Sequence, residues 1–198
     1  KGIVAEVIII DDGSSDGTGD AVKKLMRRYK FLKLTTHRKN LGKTAALMTG
    51  YKMSRGEYLV IFDADLQFDP WDLPRLMSKL DEGYDIVTGK KVGKYQKPVV
   101  SGIYNRICRS LFKVPVTDLN SIKMFRREVL QNMILREDWH RYMVVIAHNQ
   151  GFKITEIDVK LSPRLHGVSK YSGIWRMFIG FFDLLVVWFT LRFMKKPM

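Results

Sequence analysis

Short runs of branched and aromatic side chains alternate with longer segments whose apolar residues recur at helical spacing, and this rhythm divides the chain into elements. Positions 7–10 (Val-Ile-Ile-Ile), 33–36, 58–62 (Tyr-Leu-Val-Ile-Phe) and 85–88 read as strands. The first and third are apolar enough for burial on both faces of a parallel sheet. Between them, positions 19–29, 44–53 and 69–82 read as helices, with Pro70 suited to a first turn. The order β-α-β-α-β-α-β predicts an α/β domain with an open, mostly parallel, Rossmann-like sheet and helices on both faces. Beyond 88 the pattern is less regular: 89–111 reads as a basic loop, 127–135 and 139–149 as helices, and 152–159 alternates as a half-exposed strand. The run 174–193 is rich in Phe, Trp and Leu but is broken by Arg176 and Asp183. Its uninterrupted apolar stretches fall short of the roughly 18–20 residues that a membrane span needs. An amphipathic helix lying in a membrane interface is expected there, with a buried core helix as the alternative.

Composition narrows the partners. At 198 residues, with 46% hydrophobic and 12% aromatic content, the chain has enough apolar material for one folded domain and a small appendage, which excludes disorder. Its net charge of +14 calls for an anionic partner: a nucleic acid, a phosphorylated small molecule or an acidic membrane surface. The single cysteine, Cys108, excludes an internal disulfide and a cysteine-based zinc site, fits a reducing compartment, and reads as a small buried hydrophobe. No signal-peptide pattern opens the sequence. His37, His140, His148 and His166 lack zinc-like spacing, and His140 reads as structural or as orienting a loop.

Chemistry-bearing residues gather where strands are expected to end. Asp63, Asp65 and Gln67 follow the third strand at its carboxyl end, the side on which open α/β sheets bind ligands. Two carboxylates and an amide oxygen are hard donors suited to Mg²⁺ or Mn²⁺ on a diphosphate, although strand-end carboxylates also cap helices. Asp11 and Asp12 end the first strand and can accept hydrogen bonds from a nucleobase or ribose, whereas Ser15 and Asp16 are explained by capping alone. The segment 37–43 (His-Arg-Lys-Asn-Leu-Gly-Lys) brings cations to a helix amino terminus, as a phosphate would require and as a solvated surface would also produce.

Taken together, Asp11-Asp-Gly-Ser-Ser-Asp-Gly-Thr18, Asn40-Leu-Gly-Lys43, Asp63-Ala-Asp-Leu-Gln67, Ser101 with Tyr104-Asn105, His140-Arg-Tyr142, Gly151-Phe152 with Glu156, and Pro163-Arg164 through Ser169-Lys-Tyr171 agree in order and spacing with one pattern. Over nearly its whole length the chain resembles the family-2 glycosyltransferases of the GT-A fold, and among them the polyprenyl-phosphate glycosyltransferases. The resemblance implies that Asp11 and Asp12 contact base and ribose, with Asp16 and Lys43 as further donor contacts. It implies that Asp63 and Asp65, helped by Gln67, hold Mg²⁺ or Mn²⁺. It also implies that Lys91, Lys97 and Ser101 lie near the acceptor or donor phosphates, and that Arg164, Ser169 and Lys170 close over the donor. The chain departs from the pattern at several points. Relatives carry an additional first strand ending in a Pro-x-Tyr-Asn-Glu type sequence, which has no match here; lysines stand where relatives carry arginines; the usual glycine near 120–123 is absent; and the paired membrane helices of the subgroup have no counterpart.

The implied activity is metal-dependent, inverting transfer of a hexose from a UDP- or GDP-linked sugar to dolichyl or undecaprenyl phosphate at the cytoplasmic face of a membrane. A catalytic domain would span 1–165, and an acceptor loop with an amphipathic juxtamembrane segment 166–198. A hydroxyl acceptor is the first alternative and would require a carboxylate base, for which Asp118 and Asp138 are the candidates. A basic nucleic-acid-binding module is a second, but aromatic stacking platforms among the basic loops are sparse and no nucleic-acid partner is expected. A nucleotide-sugar sensor without turnover is a third.

Overall fold

The computed structural model describes residues 5–93, 99–131, 133–163 and 174–193, with side chains throughout these except at 99–101 and 174–179. In chain order the elements are β1 (Val7–Asp11), α1 (Thr18–Arg28), β2 (Leu32–Thr36), α2 (Lys43–Met53), β3 (Tyr58–Ile61), a 3-10 turn (Pro70–Asp72), α3 (Leu73–Asp81), β4 (Ile86–Val92), α4 (Val99–Phe112), β5 (Lys123–Arg126), α5 (Glu128–Gln131), a second 3-10 turn (Trp139–Tyr142), α6 (Met143–Asn149), β6 (Ile154–Lys160) and α7 (Ile174–Phe193). The first half follows the expected element order, but β1 and β3 are not buried on both faces as expected: Val7 and Val60 are exposed and the other apolar residues of both strands are half-buried. Asp69 starts its helix by accepting the Trp71 N–H, at 2.9 Å, with Pro70 behind it in the first turn.

The second half differs from the sequence expectation in four places. Residues 89–92 extend β4 instead of opening a loop, because Lys90 and Lys91 find partners in Asp158 and Asp118. Val99–Phe112 is helical despite its cations, which lie on the exposed side while Asn105 and Cys108, one turn apart, are buried. The helix expected over 127–135 shortens to Glu128–Gln131. The helix expected from 139 starts as a 3-10 turn after Asp138, whose φ is 59°.

Two compact units make up the chain, Lys1–Leu59 with Arg126–Met143, and Val60–Phe125 with Val144–Met198. The first holds a parallel pair, β1 on β2, in register from Val7 opposite Leu32 to Asp11 opposite Thr36. Helix α1 lies against β2 and α2 against β1. Among its described residues from 5 to 59, Val22 is the one buried apolar side chain.

The second unit is built on a four-stranded sheet of order β3-β5-β4-β6. Strands β4 and β6 run parallel, while β5 runs antiparallel to β4, so the sheet is mixed instead of mostly parallel. Gly89 N–H donates to the Ile122 carbonyl at 2.8 Å, so β5 begins beside the middle of β4 and runs back along it to Phe125 opposite Ile86. Helix α3 lies on β4 and β6, and Leu76, Leu80, Ile86 and Val87 are fully buried. The boundary expected near 165 falls outside the described residues.

Helix α7 is apolar on more than one side. Gly180, Leu184 and Val187 are buried, α7 lies against α4, and Phe181 meets the Tyr104 ring edge-on at 6.2 Å. Phe182, Leu185, Phe189 and Phe193, spaced along a second face, are more than half exposed. Among the described residues no helix is long and apolar enough to cross a membrane.

Candidate functional site

In the first unit the acidic pair at the end of β1 braces two loops. Asp11 is buried and accepts the Ser14 N–H at 2.9 Å. Its second oxygen would lie 3.1 Å from a Cβ at Gly19, so only a residue without a side chain fits there comfortably. Gly13, at φ 77°, is needed for another reason as well: a Cβ would fall 2.5 Å from the Lys39 carbonyl carbon, which ties the acidic turn to the basic loop. Asp12 reaches that loop directly. Leu41 N–H donates to its Oδ1 at 2.9 Å, Gly42 N–H to its Oδ2 at 2.8 Å, and His37 Nδ1 lies 2.7 Å from Oδ1. Burial pushes the Asp12 carboxyl up, but the bonds from Leu41, His37 and Gly42, with the His37 charge, outweigh it and hold the group below the ordinary carboxylate range. Since a carboxylate only accepts, His37 Nδ1 carries a proton, and Nε2 sits 3.0 Å from the Thr49 hydroxyl on α2.

Lys43 opens α2 after Gly42, which provides no side-chain cap. His140 reaches the same turn, its Nδ1 lying 3.0 Å from the Thr44 hydroxyl and its N–H donating to that oxygen at 3.3 Å, in keeping with an orienting role. A cavity of about 430 Å³ lies here, lined by Asn40, Leu41, Gly42, Thr44, Met48 and Leu135 among others. Asp16 accepts the Thr18 N–H at 3.0 Å and the Thr18 hydroxyl, closing the turn into α1.

The second unit contains the Asp63–Gln67 turn. Gln67 N–H donates to Asp65 Oδ1 at 3.2 Å, and between them Leu66 adopts φ 59°, a conformation that is costly for a residue with a side chain. The turn is fixed to the segment after β6, because Ser162 N–H donates to the Gln67 carbonyl at 2.9 Å and Gln67 Nε2 donates to the Ser162 carbonyl at 3.4 Å. The side-chain amide also carries an oxygen, a hard donor type of the kind that binds Mg²⁺ or Mn²⁺. Asp63 and Asp65 are half-buried carboxylates, and no group of three or more His, Cys, Asp or Glu that could hold a metal occurs among the described residues. Two carboxylates and one amide oxygen fit Mg²⁺ or Mn²⁺ completed by phosphate oxygens, a binding mode in which the protein supplies few ligands.

Phe68 follows Gln67 and is buried, and Lys91 Nζ lies 5.9 Å from its ring centre. Lys91 also pairs with Asp118 Oδ2 at 3.4 Å, while Asn120 N–H donates to Asp118 Oδ1 at 3.1 Å. Asp118 is 5% exposed, so its charge is compensated inside the fold. Asp138, in the first unit, is exposed and lies 3.9 Å from Arg141. Ser101 lies in α4 with its side chain outside the described residues, as do Lys97, Arg164, His166, Ser169 and Lys170 entirely. Sequence reasoning missed His37 as a bridge between Asp12 and Thr49, and Lys123 as a buried lysine. His37 carries no local signal, since its partners lie 25 and 12 residues away in the chain, and Lys123 stands in no pattern that marks a buried charge although the carbonyl it meets is two residues back.

The glycosyl transferase family 2 model matches residues 2–153. The chain is 33% identical over 201 residues to a dodecaprenyl-phosphate galacturonate synthase of Rhizobium johnstonii, covering 97% of this chain and 59% of that protein. It is 27% identical over 186 residues to an undecaprenyl-phosphate 4-deoxy-4-formamido-L-arabinose transferase of Aeromonas hydrophila, covering 91% and 56%. The chain thus spans less than two thirds of the length of these relatives. Among solved structures, the mannosyltransferase PcManGT of Pyrobaculum calidifontis with GDP-Man and Mn²⁺ superposes with a TM-score of 0.66 at 22% identity, over 97% of this chain and 56% of that one. Glucosyl-3-phosphoglycerate synthase of Mycobacterium tuberculosis with Mn²⁺, UDP-glucose and phosphoglyceric acid gives 0.69 at 15%, over 95% and 69%. These two likenesses establish the GT-A-like α/β fold.

Proposed function

Starting from glycosyl transferase family 2, to which this chain belongs, we propose that the protein transfers a hexose from a UDP- or GDP-linked sugar to a polyprenyl phosphate at a membrane surface. The observation that carries this reading is the pairing of buried Asp118 with Lys91. A hydroxyl acceptor must lose a proton and needs a free carboxylate; a phosphate acceptor is already ionised and needs a cation. In the second unit the buried Asp118 is engaged by Lys91, and that cation lies near Phe68, the residue after Gln67.

An oxygen of the acceptor phosphate attacks the anomeric carbon, the bond to the nucleoside diphosphate oxygen breaks with that oxygen taking the electron pair, and the anomeric configuration inverts. Asp63, Asp65 and the Gln67 amide oxygen would hold Mg²⁺ or Mn²⁺, which when bound would offset charge on the departing diphosphate. Asp11 and Asp12 receive the nucleoside, and Lys91 orients the acceptor. Lys97, Ser101, Arg164, Ser169 and Lys170 are proposed as further phosphate contacts, Lys43 and Asp16 as donor contacts. The relatives' names support a polyprenyl phosphate acceptor. The exposed Phe182, Leu185, Phe189 and Phe193 face of α7 and the +14 charge support docking on the anionic cytoplasmic leaflet.

The test is a matrix of nucleotide-sugars against polyprenyl phosphate and a soluble sugar acceptor, using the full-length enzyme with Mn²⁺ or EDTA. Glycolipid formation that needs metal and falls by about 10²-fold or more in Asp65→Ala is expected. Transfer persisting in EDTA refutes the metal role, and transfer to the soluble acceptor alone refutes the lipid phosphate.

A further inference from the structure

Glu156 belongs to the motif set shared with the family, yet the reaction proposed above gives it no task. It lies on β6 opposite Thr88 of β4, and Thr88 lies opposite Lys123 of β5. Paired positions share a sheet face, so Lys123, Thr88 and Glu156 form a row across three strands. The two charged ends of that row grip the same passing segment. Glu156 Oε2 accepts the Thr117 N–H at 2.6 Å, and the Thr117 hydroxyl lies 3.1 and 2.9 Å from Oε1 and Oε2. Lys123, only 6% exposed, donates from Nζ to the Ser121 carbonyl at 3.0 Å. Residues 117–121 therefore form a strap pinned at one end by an anion and at the other by a cation.

Two further details fit a strap held close to the sheet. Gly89 of β4 makes room for its end: a Cβ there would fall 2.9 Å from Ser121 Oγ and 2.8 Å from Ile122 Cγ2. Asp118, next to the Glu156-held Thr117, is the strap residue that reaches Lys91.

We propose that Glu156 is a positioning residue for Lys91: by holding Thr117 at both its backbone and its hydroxyl, it sets Asp118, and Asp118 sets the ammonium that binds the acceptor phosphate. The proposal rests on the assignment of Lys91 to the acceptor. A lysine is a point charge on a flexible four-carbon stem, so its location depends on what anchors it. An incoming phosphate competes with Asp118 for that ammonium, and a strap pinned by charge-assisted bonds keeps the carboxylate from following the lysine toward the ligand. Loosening the pin is therefore expected to weaken acceptor binding without altering the nucleotide end of the site.

The experiment titrates the full-length enzyme with farnesyl phosphate and, separately, with nucleoside diphosphate plus Mn²⁺, by calorimetry. Glu156→Gln keeps size and one acceptor oxygen but loses the charge, and about tenfold weaker farnesyl phosphate binding is expected with nucleotide affinity held within about twofold. Thr117→Val reproduces part of the loss and Thr117→Ser restores wild-type behaviour. Equal weakening of both ligands, or farnesyl phosphate binding within about twofold of wild type in Glu156→Gln, overturns the proposal. If the wild type binds farnesyl phosphate but transfers no sugar to it, the function proposed above falls, while the Glu156 effect on that same binding still decides the positioning role.

Discussion

Two short branched runs, each opening a strand, meet different fates in the two units. Val7-Ile-Ile-Ile10 of β1 and Ile86-Val87 of β4 are both short branched runs leading toward candidate site residues. Ile86 and Val87 are 0% exposed, whereas Val7 is 41% exposed and Ile8 to Ile10 are half-buried. The difference follows from neighbours. Strand β4 has β5 on one side, β6 on the other and α3 against it, while β1, with α2 against it, pairs among the described residues with β2 alone. The same sequence pattern thus specifies a strand in both places but a core in only one. In the first unit the buried apolar side chains are concentrated in the Arg126–Met143 segment, while residues 5–59 are braced partly through the charge-assisted bonds of Asp12. The stretch that carries the nucleoside candidates depends more on polar braces, and the strands around β4 depend more on packing.

Alanine substitutions at matched positions test that contrast most strongly. Ile86→Ala removes a fully buried side chain and is expected to cost about 2–5 kcal/mol, while Ile9→Ala, already half in water, is expected to cost about 1 kcal/mol. Urea denaturation followed by a probe in each unit reads both. Equal losses would mean that β1 is as deeply packed as β4, and the contrast would fail.

The polar side of the comparison is tested at Asp12. Asp12→Asn keeps the shape but loses the charge that two backbone N–H groups and His37 share, and a cost of about 1–2 kcal/mol is expected, reduced from the buried value by partial exposure. Hydrogen exchange at the Leu41 and Gly42 amides should accelerate while that at Ile86 and Val87 stays unchanged. Acid should act in the same direction. The folded Asp12 carboxyl sits below its ordinary value, so its contribution is complete above the ordinary carboxylate range and fades as pH falls through and below it. Glu6 follows the same sign, lowered chiefly by its bond from Lys33 and then by the Arg55 N–H, although Lys33 is 43% exposed and the pair counts for less. Both groups belong to the first unit, so protection there should fall below about pH 4 before protection in the second unit does. Simultaneous loss in both units would show that the braces are not local.

Legibility in the sequence follows the same division between local and distant causes. Strands β1, β3 and β4 and helices α1 to α3 were readable because each announces itself by its own apolar period or turn residues. Strand β5 was not, since Lys123-Met-Phe-Arg126 has a charge at each end, and a buried Lys123 contradicts every pattern until the Ser121 carbonyl is seen beside it. Helix α4 was hidden by Arg106 and Arg109, whose exposure could not be inferred from spacing alone. At the candidate site, the Asp63–Gln67 turn was legible because it directly ends an apolar strand. The Asp12–His37 bridge spans 25 residues and the Thr117–Glu156 grip 39, and both arise only when strands pair.

The smallest expected effect sharpens the comparison from the packed side. Thr88 is 0% exposed between Lys123 and Glu156 in the strand register, and its hydroxyl has no hydrogen-bond partner among the described residues. A buried hydroxyl without a partner keeps its desolvation cost, so the isosteric Thr88→Val should leave stability unchanged or raise it by up to about 1 kcal/mol. A polar brace of the Asp12 kind behaves in the opposite way, and removing it always costs. Denaturation of Thr88→Val therefore asks whether the row across β5, β4 and β6 is held at its charged ends alone. A loss of more than about 1 kcal/mol would make Thr88 a working member of the row and the second unit more dependent on polar contacts than its burial suggests.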